Sequence, residues 1–348
     1  MRNATRTEIT IILAGCLAAA CTGKAPVETG KPSATGVQEM VATIPATQTN
    51  QPGGAAKTVE VEQAEGSPTP RVTQALPTRL APTVEATQRP TLMADEWMSL
   101  PVIPEVSDTA RQIYLRGQTM GRDAHAFAKI GDCQSITTFF LASFDSPGLY
   151  RLGDYADLQE TIDWYAGSFG RHSLAVRGGF NAAAILSPLR ADPKQCNPDE
   201  NPIACEIRLH NPSVVIISLE EWWSGQPEKY EAYMRQIIEY TIEQGVVPIV
   251  ATKADNLEGN QLINQTIAQL AWEYDIPLWN FWRAVQPLPD HGLRPVTPDG
   301  EPDMFHLTHS ANNYAFDSPP SRQSGWLMRN LTALQVLDAV RYGLNQQP

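Results

Sequence analysis

The sequence is poor in basic residues and contains no cluster of them. It has 26 Lys and Arg against 38 Asp and Glu, which gives a formal net charge of −12. Proteins that bind nucleic acid through its phosphates need a positive surface, so this composition argues against a nucleic-acid partner. The acidic excess favours solubility and carries no information about the fold.

The apolar run near the N-terminus is too short to cross a bilayer. Ile9 to Ala20 spans roughly a dozen residues, whereas a membrane-spanning helix needs about 20. The run follows a short basic region with Arg2 and Arg6. This arrangement is typical of an export signal, which we predict over residues 1–21.

Two cysteines in this region follow small residues, as in the lipobox of bacterial lipoproteins. Cys16 fits that pattern better in its residues, whereas Cys21 leaves a better apolar length before it. Either cysteine, once lipidated, would anchor the exported protein to a membrane, because each buried methylene adds about 0.8 kcal/mol. The alternative is a plain secretory signal with incidental cysteines, and the protein would then be secreted.

Large apolar residues are scarce from residue 22 to about residue 93. This segment is rich in Thr, Pro, Ala, Gln, Gly and Glu and shows no hydrophobic period. It cannot bury enough surface to offset the entropy of ordering, so we expect a disordered stalk between the membrane and the folded domain.

Cysteine is also scarce, at five residues in the chain. Cys196 and Cys205 flank a polar segment that is typical of a loop, and an exported protein can keep a disulfide there. That pairing leaves Cys133 as a solitary thiol, which in an exported protein is a candidate reactive group.

Residues 94–348 show alternating strand and helix patterns. The stretch Val214 to Leu219 is apolar on both faces, as expected for a central parallel strand. We predict one three-layer α/β/α domain with a mostly parallel sheet, monomeric, with sites at the carboxyl ends of its strands. The predicted strands are 126–130, 174–176, 214–219, 246–251 and 277–281. The predicted helices are 107–120, 136–144, 156–165, 181–189, 227–244, 257–274 and 326–344.

Gly131-Asp132-Cys133 follows the first predicted strand. A glycine before a tight strand-to-helix turn lets a nucleophile sit exposed, and the N-terminus of the next helix presents N–H groups and positive potential. These conditions also favour a thiolate. The alternative is a turn that carries a buried, inert cysteine.

Asp303 lies three residues before His306. An aspartate at this spacing can orient the imidazole through one nitrogen and leave the other free to act as a base. The alternative is a solvated carboxylate beside a structural histidine. Asp303, His306 and His309 make a poor metal-ligand pattern, so we expect no metal and no cofactor.

Together these motifs resemble the SGNH (GDSL-type) hydrolases, whose flavodoxin-like domain carries Gly-Asp-Ser after the first strand and Asp-x-x-His near the C-terminus. The resemblance implies that Cys133 attacks, His306 is the base and Asp303 orients His306. It also implies an oxyanion hole formed by the N–H groups of Cys133 and of Gly179 or Gly178. The implied activity is hydrolysis of an ester, on a small molecule, a lipid or a glycan.

The sequence departs from the family pattern at two places. Cysteine replaces serine at position 133, and Glu220-Glu221-Trp222-Trp223 stands where the family has Gly-x-Asn-Asp. Trp222 could donate one hydrogen bond in place of the missing Asn, but loss of an oxyanion donor costs about 2.7–4 kcal/mol. Asp132, Glu220, Glu221 and Trp222 are candidate substrate-binding residues.

Two other functions remain open at this point. The fold could carry a decayed catalytic site and an aromatic cleft that binds a carbohydrate or another ligand. Glu220 or Glu221 could instead serve as the acid or base of a glycosidase. We also expect Lys253 to form a structural ion pair with one of these glutamates.

Overall fold

The structure is a computed structural model, and it describes residues 91–219, 227–318 and 321–346. Several predicted functional residues lie outside these ranges: Cys16, Cys21, Glu220, Glu221, Trp222 and Trp223. The described part of the chain is an α/β domain with one four-stranded, all-parallel sheet.

The strands pair in the order in which they occur in the chain. They are β1 (Asp123–Gly131), β2 (Pro212–Ser218), β3 (Val247–Ala251) and β4 (Leu278–Trp279). All residues of β2 and β3 are buried, which explains their unbroken apolar sequences. The predicted strand at 174–176 forms only a single parallel bridge, between Val176 and Gly131.

This bridge determines how the site is placed in the sheet. Gly131 pairs with Ser218 of β2 on one side and with Val176 on the other. If the 174–176 segment is counted as a strand, the spatial order is that of the flavodoxin-like sheet. In that order the connections diverge between β1 and β2, so a ligand crevice is expected at the carboxyl ends of these two strands.

Eight α-helices are assigned in the described residues, and all but α4 fall into two groups by their helix–helix contacts. They are α1 (Asp108–Thr119), α2 (Gln159–Trp164), α3 (Ala182–Ile185), α4 (Pro202–His210), α5 (Pro227–Glu243), α6 (Leu262–Tyr274), α7 (Phe281–Val285) and α8 (Gly325–Asn345). Helices α1, α2 and α7 pack on α8, whereas α5 packs on α3 and α6. These groups cover the sheet as two outer layers.

The longest predicted helices are confirmed within a few residues. Ser107 caps α1, because its hydroxyl accepts a hydrogen bond from the N–H of Ala110 at 3.0 Å. The predicted helix 136–144 is wrong: this segment forms turns and a short 3₁₀ helix, Ala142–Asp145. Helix α4 was not predicted; it begins at Pro202, the last residue of the polar segment that the sequence indicated as a loop.

The Cys196–Cys205 disulfide is present, as predicted. It ties the segment before α4 to the first half of that helix. None of the helices in the described ranges is both long and apolar enough to cross a membrane.

Candidate functional site

The site is built on the last residue of β1, which must be glycine. A Cβ atom on Gly131 would lie 2.2 Å from the Ser135 hydroxyl and 2.6 Å from the carbonyl oxygen of Ser218. The second of these atoms is backbone of the neighbouring strand and cannot move away cheaply. Any side chain at this position would therefore push the turn after β1 away from the end of β2.

Asp132 shapes the turn that follows. Its side chain is fully buried, and its Oδ1 accepts a hydrogen bond from the N–H of Gln134 at 2.9 Å. This bond caps a single 3₁₀ turn, Cys133–Ser135, in which Cys133 is half-buried. Cys133 forms no disulfide with a described residue. Asp132 therefore supports the turn from inside, and its role in substrate binding stays a prediction.

The long helix that we expected after Cys133 does not form, and α8 explains why. Asn330 of α8 accepts a hydrogen bond from the N–H of Leu141 and donates one to the carbonyl of Phe139. Leu141 adopts a left-handed backbone conformation, φ 67°, which ends helical geometry there. Cys133 consequently lacks the helix N-terminus that we expected to favour its thiolate.

The predicted oxyanion glycines lie next to this turn. The N–H of Arg177 donates to the carbonyl of Gly131 at 3.3 Å, and Gly178 and Gly179 follow directly in an exposed segment. Gly179 has φ +79°, which favours glycine at that position. The bridge to Gly131 thus keeps both glycines close to the turn that carries Cys133.

Asp303 and His306 form the predicted hydrogen-bonded pair. His306 Nδ1 lies 3.0 Å from Oδ1 and 3.1 Å from Oδ2 of Asp303, and the N–H of His306 donates to Oδ1 at 3.1 Å. His306 Nε2 has no hydrogen-bond partner among the described residues. The pair lies on a hairpin-like loop in which Leu293 bridges Leu307 and Val296 bridges Pro302.

A third residue, Arg294, completes this pair and was missed in the sequence. Its Nε donates to Asp303 Oδ2 at 2.6 Å, and its Nη2 contacts the same oxygen. Burial alone would raise the pKa of Asp303, but the hydrogen bonds from His306 and Arg294 outweigh it and lower that pKa below its usual range. Asp303 is therefore ionised at neutral pH, and its carboxylate is shared between the Arg294 guanidinium and the His306 imidazole. No sequence motif marks an arginine nine residues before Asp303 for this role.

His309 lies near Arg294 and His306. Burial, together with the charges of Arg294 and His306, lowers the pKa of His309. His309 packs between the rings of Phe139 and Trp326, with centroids 5.8 Å away in each case. It contributes to the wall beside the hairpin.

Gln134 joins the two predicted motifs. Its side-chain Nε2 donates to the carbonyl oxygen of Phe305 at 3.0 Å, although the residues are 171 positions apart in the chain. Gln134 follows Cys133 and Phe305 precedes His306. This bond therefore holds the 3₁₀ turn Cys133–Ser135, the cysteine turn, against the hairpin-like loop that carries His306, the histidine loop. The structure thus brings Cys133, Asp303 and His306 to one end of the sheet, beside Gly178 and Gly179.

A buried arginine lies behind the turn and was also missed. Arg329 of α8 is fully buried; its Nε donates to the carbonyl of Gln134 at 3.1 Å and its Nη2 to the hydroxyl of Ser218 at 2.6 Å. Its guanidinium lies about 5 Å from the ring centroids of Phe140, Trp279 and Phe281. The only sequence signal was a charged residue next to an amide among the apolar positions of a helix.

Lys253 forms a structural ion pair, but its described partners differ from those expected. Its fully buried Nζ lies 2.7 Å from Asp255 Oδ1 and 2.6 Å from Glu258 Oε2. The expected partners, Glu220 and Glu221, are outside the described residues. This group stabilises the loop after β3 and is separate from the cysteine turn.

One further cluster has the composition of a metal site. Sulfur atoms of Cys196 and Cys205 and a carboxylate oxygen of Glu200 lie within 4.8 Å of one another. The two sulfurs are joined to each other, and a metal would require thiolates. Glu200 is also held by Arg208 through two hydrogen bonds of 2.7 Å.

Comparison with known proteins adds no assignment. The chain matches no protein-family model and no curated protein sequence.

Proposed function

We propose that this chain is an SGNH-like hydrolase that cleaves an ester by nucleophilic attack of Cys133. The observation that carries the proposal is the contact between its two motifs. Asp303 holds His306 by Nδ1, and Gln134 fixes the neighbouring Phe305 against the cysteine turn. A nucleophile, a base and an orienting carboxylate on adjoining loops are the parts that acyl transfer needs.

The proposed reaction has two stages. Nε2 of His306 takes the Cys133 proton while the sulfur attacks the ester carbonyl carbon, and N–H groups of Cys133 and of Gly178 or Gly179 hold the oxyanion. The C–O bond then breaks, the alcohol leaves with the proton from His306, and a thioester remains. Water, deprotonated by His306, hydrolyses the thioester and restores the thiol.

Export places this activity outside the cytoplasm. The N-terminal sequence indicates a lipoprotein signal at Cys16 or Cys21, and the stalk would let the domain reach substrates near the membrane. Small-molecule, lipid or glycan esters are the proposed substrate class.

Hydrolysis of an aryl ester such as p-nitrophenyl acetate tests this proposal. We expect slow hydrolysis that disappears in Cys133→Ala and falls at least tenfold in His306→Ala. Cys133→Ser is informative because it restores the residue that the resemblance implies, and retained or increased activity would show that the pocket accepts an oxygen nucleophile. The matched control is His125→Ala, which changes an exposed histidine near the opposite end of β1 and should leave the rate unchanged.

The thiol itself provides a second measurement. A Cys133 paired with His306 should react with iodoacetamide well below about pH 8.5, where an ordinary thiol titrates, and His306→Ala should slow the reaction at neutral pH. An ordinary pH profile for Cys133, together with no ester hydrolysis in any variant, would contradict the enzyme proposal.

A ligand-binding protein on the same fold is the second candidate, and two observations favour it. Arg294 shares the Asp303 carboxylate with His306. The cysteine turn is a single 3₁₀ turn, and no long helix follows it directly. Both weaken activation of the thiol. This candidate predicts an unreactive Cys133 and a carbohydrate affinity that is lost in Trp222→Ala.

A further inference from the structure

The cysteine turn has an unusual support, a charged side chain that reaches it from inside the protein. Arg329 lies in the first half of α8 and is among the largest fully buried side chains in the described residues. A buried guanidinium is costly unless its hydrogen bonds and its charge are stabilised. We therefore expect the buried guanidinium of Arg329 to have a role that offsets this free-energy cost.

Two hydrogen bonds of Arg329 join the ends of β1 and β2. Its Nε binds the carbonyl of Gln134 in the turn after β1, and its Nη2 binds the Ser218 hydroxyl in the last residue of β2. The Asp132 cap and the Ser135 hydroxyl, which lies 3.5 Å from the Ser218 carbonyl, also hold this turn. Because the guanidinium is planar, these two bonds also fix the separation of the two strand ends.

Gln134 transmits this support to the rest of the site. Its carbonyl accepts from Arg329, its N–H is capped by Asp132, and its side chain donates to Phe305 beside His306. A shift of Gln134 would therefore move both Cys133 and the histidine loop.

Arginine also brings a permanent positive charge. Arginine stays protonated in folded proteins, and the aromatic rings that surround Arg329 stabilise a cation through their faces. Its Nε is in contact with the residue that follows Cys133, and a nearby cation favours a thiolate and a developing oxyanion. The helix N-terminus expected after Cys133 does not form, and the Arg329 charge supplies positive potential at the same turn.

We propose that Arg329 is a positioning residue that fixes the cysteine turn and, from beneath it, stabilises negative charge formed at Cys133. The inference rests on the proposed function in one respect, namely that Cys133 is the reacting group. It assigns to α8 a role in the site that neither motif of the sequence contains.

Several other charged groups surround the turn and must stay constant in a test. They come from the turn itself, the glycine segment and the hairpin: Asp132, Arg177, Arg294, Asp303, His306 and His309. Each of these residues is therefore left unchanged in the variants below.

The experiment measures the rate of Cys133 alkylation by iodoacetamide in the full chain, between about pH 6 and pH 9, by mass spectrometry of the Cys133 peptide. Arg329→Gln removes the charge but keeps polar groups, and we expect alkylation at neutral pH to slow by roughly tenfold, as for loss of a nearby cation. Arg329→Lys keeps the charge but cannot form both planar bonds, so we expect a loss clearly smaller than that of Arg329→Gln. Lys253→Gln is the matched control, since it also neutralises a fully buried cation, and it should leave the rate unchanged.

An unchanged rate in folded Arg329→Gln would overturn the inference, as would an equal loss in Arg329→Lys. If the Arg329 variants do not fold, Ser218→Ala takes their place, because it removes only the hydroxyl that fixes Nη2. A slower reaction there supports the inference, and an unchanged rate contradicts it. Ester hydrolysis is measured in parallel, so that an Arg329-dependent thiol without hydrolysis refutes the proposed function alone.

Discussion

Lys129 of β1 has a buried amine, and both of its hydrogen-bond partners are neutral groups. Its Nζ donates to the Thr137 hydroxyl at 3.1 Å and to the carbonyl of Phe169 at 2.8 Å. Burial, with a smaller effect of the Arg171 charge, lowers the pKa of Lys129 to about 7. This side chain therefore titrates near neutral pH inside the core.

The shift predicts how stability depends on pH. The unfolded chain holds the Lys129 proton up to about pH 10.4, whereas the folded protein loses it near pH 7, so the folded state becomes more stable as pH rises through this window. The cost of the charged amine is complete below pH 7. In Lys129→Met we expect this contribution, up to roughly 1.4 kcal/mol per pH unit, to vanish.

Urea unfolding at about pH 7.5 and pH 9.5 measures this difference. Lys194→Met, which changes an exposed lysine, should keep the wild-type increase between the two pH values. The same increase in Lys129→Met would show that another group titrates in this range.

Gly131 offers a test of the turn geometry. Gly131→Ala should destabilise the protein by several kcal/mol, because the new Cβ meets backbone of β2 at 2.6 Å. Gly121→Ala is the control: Gly121 has φ +81° but open space around it, so we expect only the backbone strain of about 1 kcal/mol. Thermal unfolding of both variants measures the contrast, and equal losses would mean that the strand ends are farther apart than described.

At the scale of elements, α8 determines the conformation of a segment far from it in the sequence. Residues 136–144 have the apolar spacing of a helix, yet Asn330 binds the backbone of Phe139 and Leu141 and holds the segment in turns. Tertiary contacts override local propensity here. Helix α8 therefore has a buried polar pair within an otherwise apolar face.

Asn330→Leu tests whether Asn330 keeps residues 136–144 in turns. The substitution keeps the branching at Cγ but leaves the buried N–H of Leu141 without its acceptor, which costs about 1–3 kcal/mol. Asn345→Leu, at the exposed end of the same helix, should change the free energy of unfolding by less than about 0.5 kcal/mol. Urea unfolding distinguishes the two, and a neutral Asn330→Leu would contradict the proposed hold.

How much of the site the sequence predicts depends on how far apart in the chain the contacting residues lie. Asp303 and His306 lie three residues apart, so their pairing is a local property that spacing reveals. Strand β2 was predicted because it is buried on both faces and therefore continuously apolar. The contact of Arg329 with Gln134 spans 195 positions and has no local pattern. Arg294 was missed because a hairpin, which the sequence did not indicate, brings it to Asp303.

At the scale of the whole molecule, the N-terminal cysteines predict where the protein resides. If Cys16 or Cys21 is lipidated, the chain expressed in a bacterium should sediment with the membranes, because acyl chains hold it there. Replacement of both cysteines by Ala should release the folded domain into the soluble fraction. The Cys196→Ala, Cys205→Ala variant is the control and should stay with the membranes. Membrane association that survives loss of both N-terminal cysteines would exclude a lipid anchor at these positions.

The position of α8 in the chain has a consequence for biogenesis. Helix α8 follows all four strands, and chains are synthesised from the N-terminus, so the sheet residues emerge before Arg329 and Asn330 do. Until α8 docks, the loop that carries Cys133 lacks two of its supports while Cys196 and Cys205 are already available for oxidation. A polypeptide that stalls before Gly325 in an oxidising compartment should therefore accumulate crosslinks of Cys133 with the wrong sulfur. Docking of α8 would protect the chain from this error, and, if the protein is exported as proposed, its quality control depends on how fast α8 arrives.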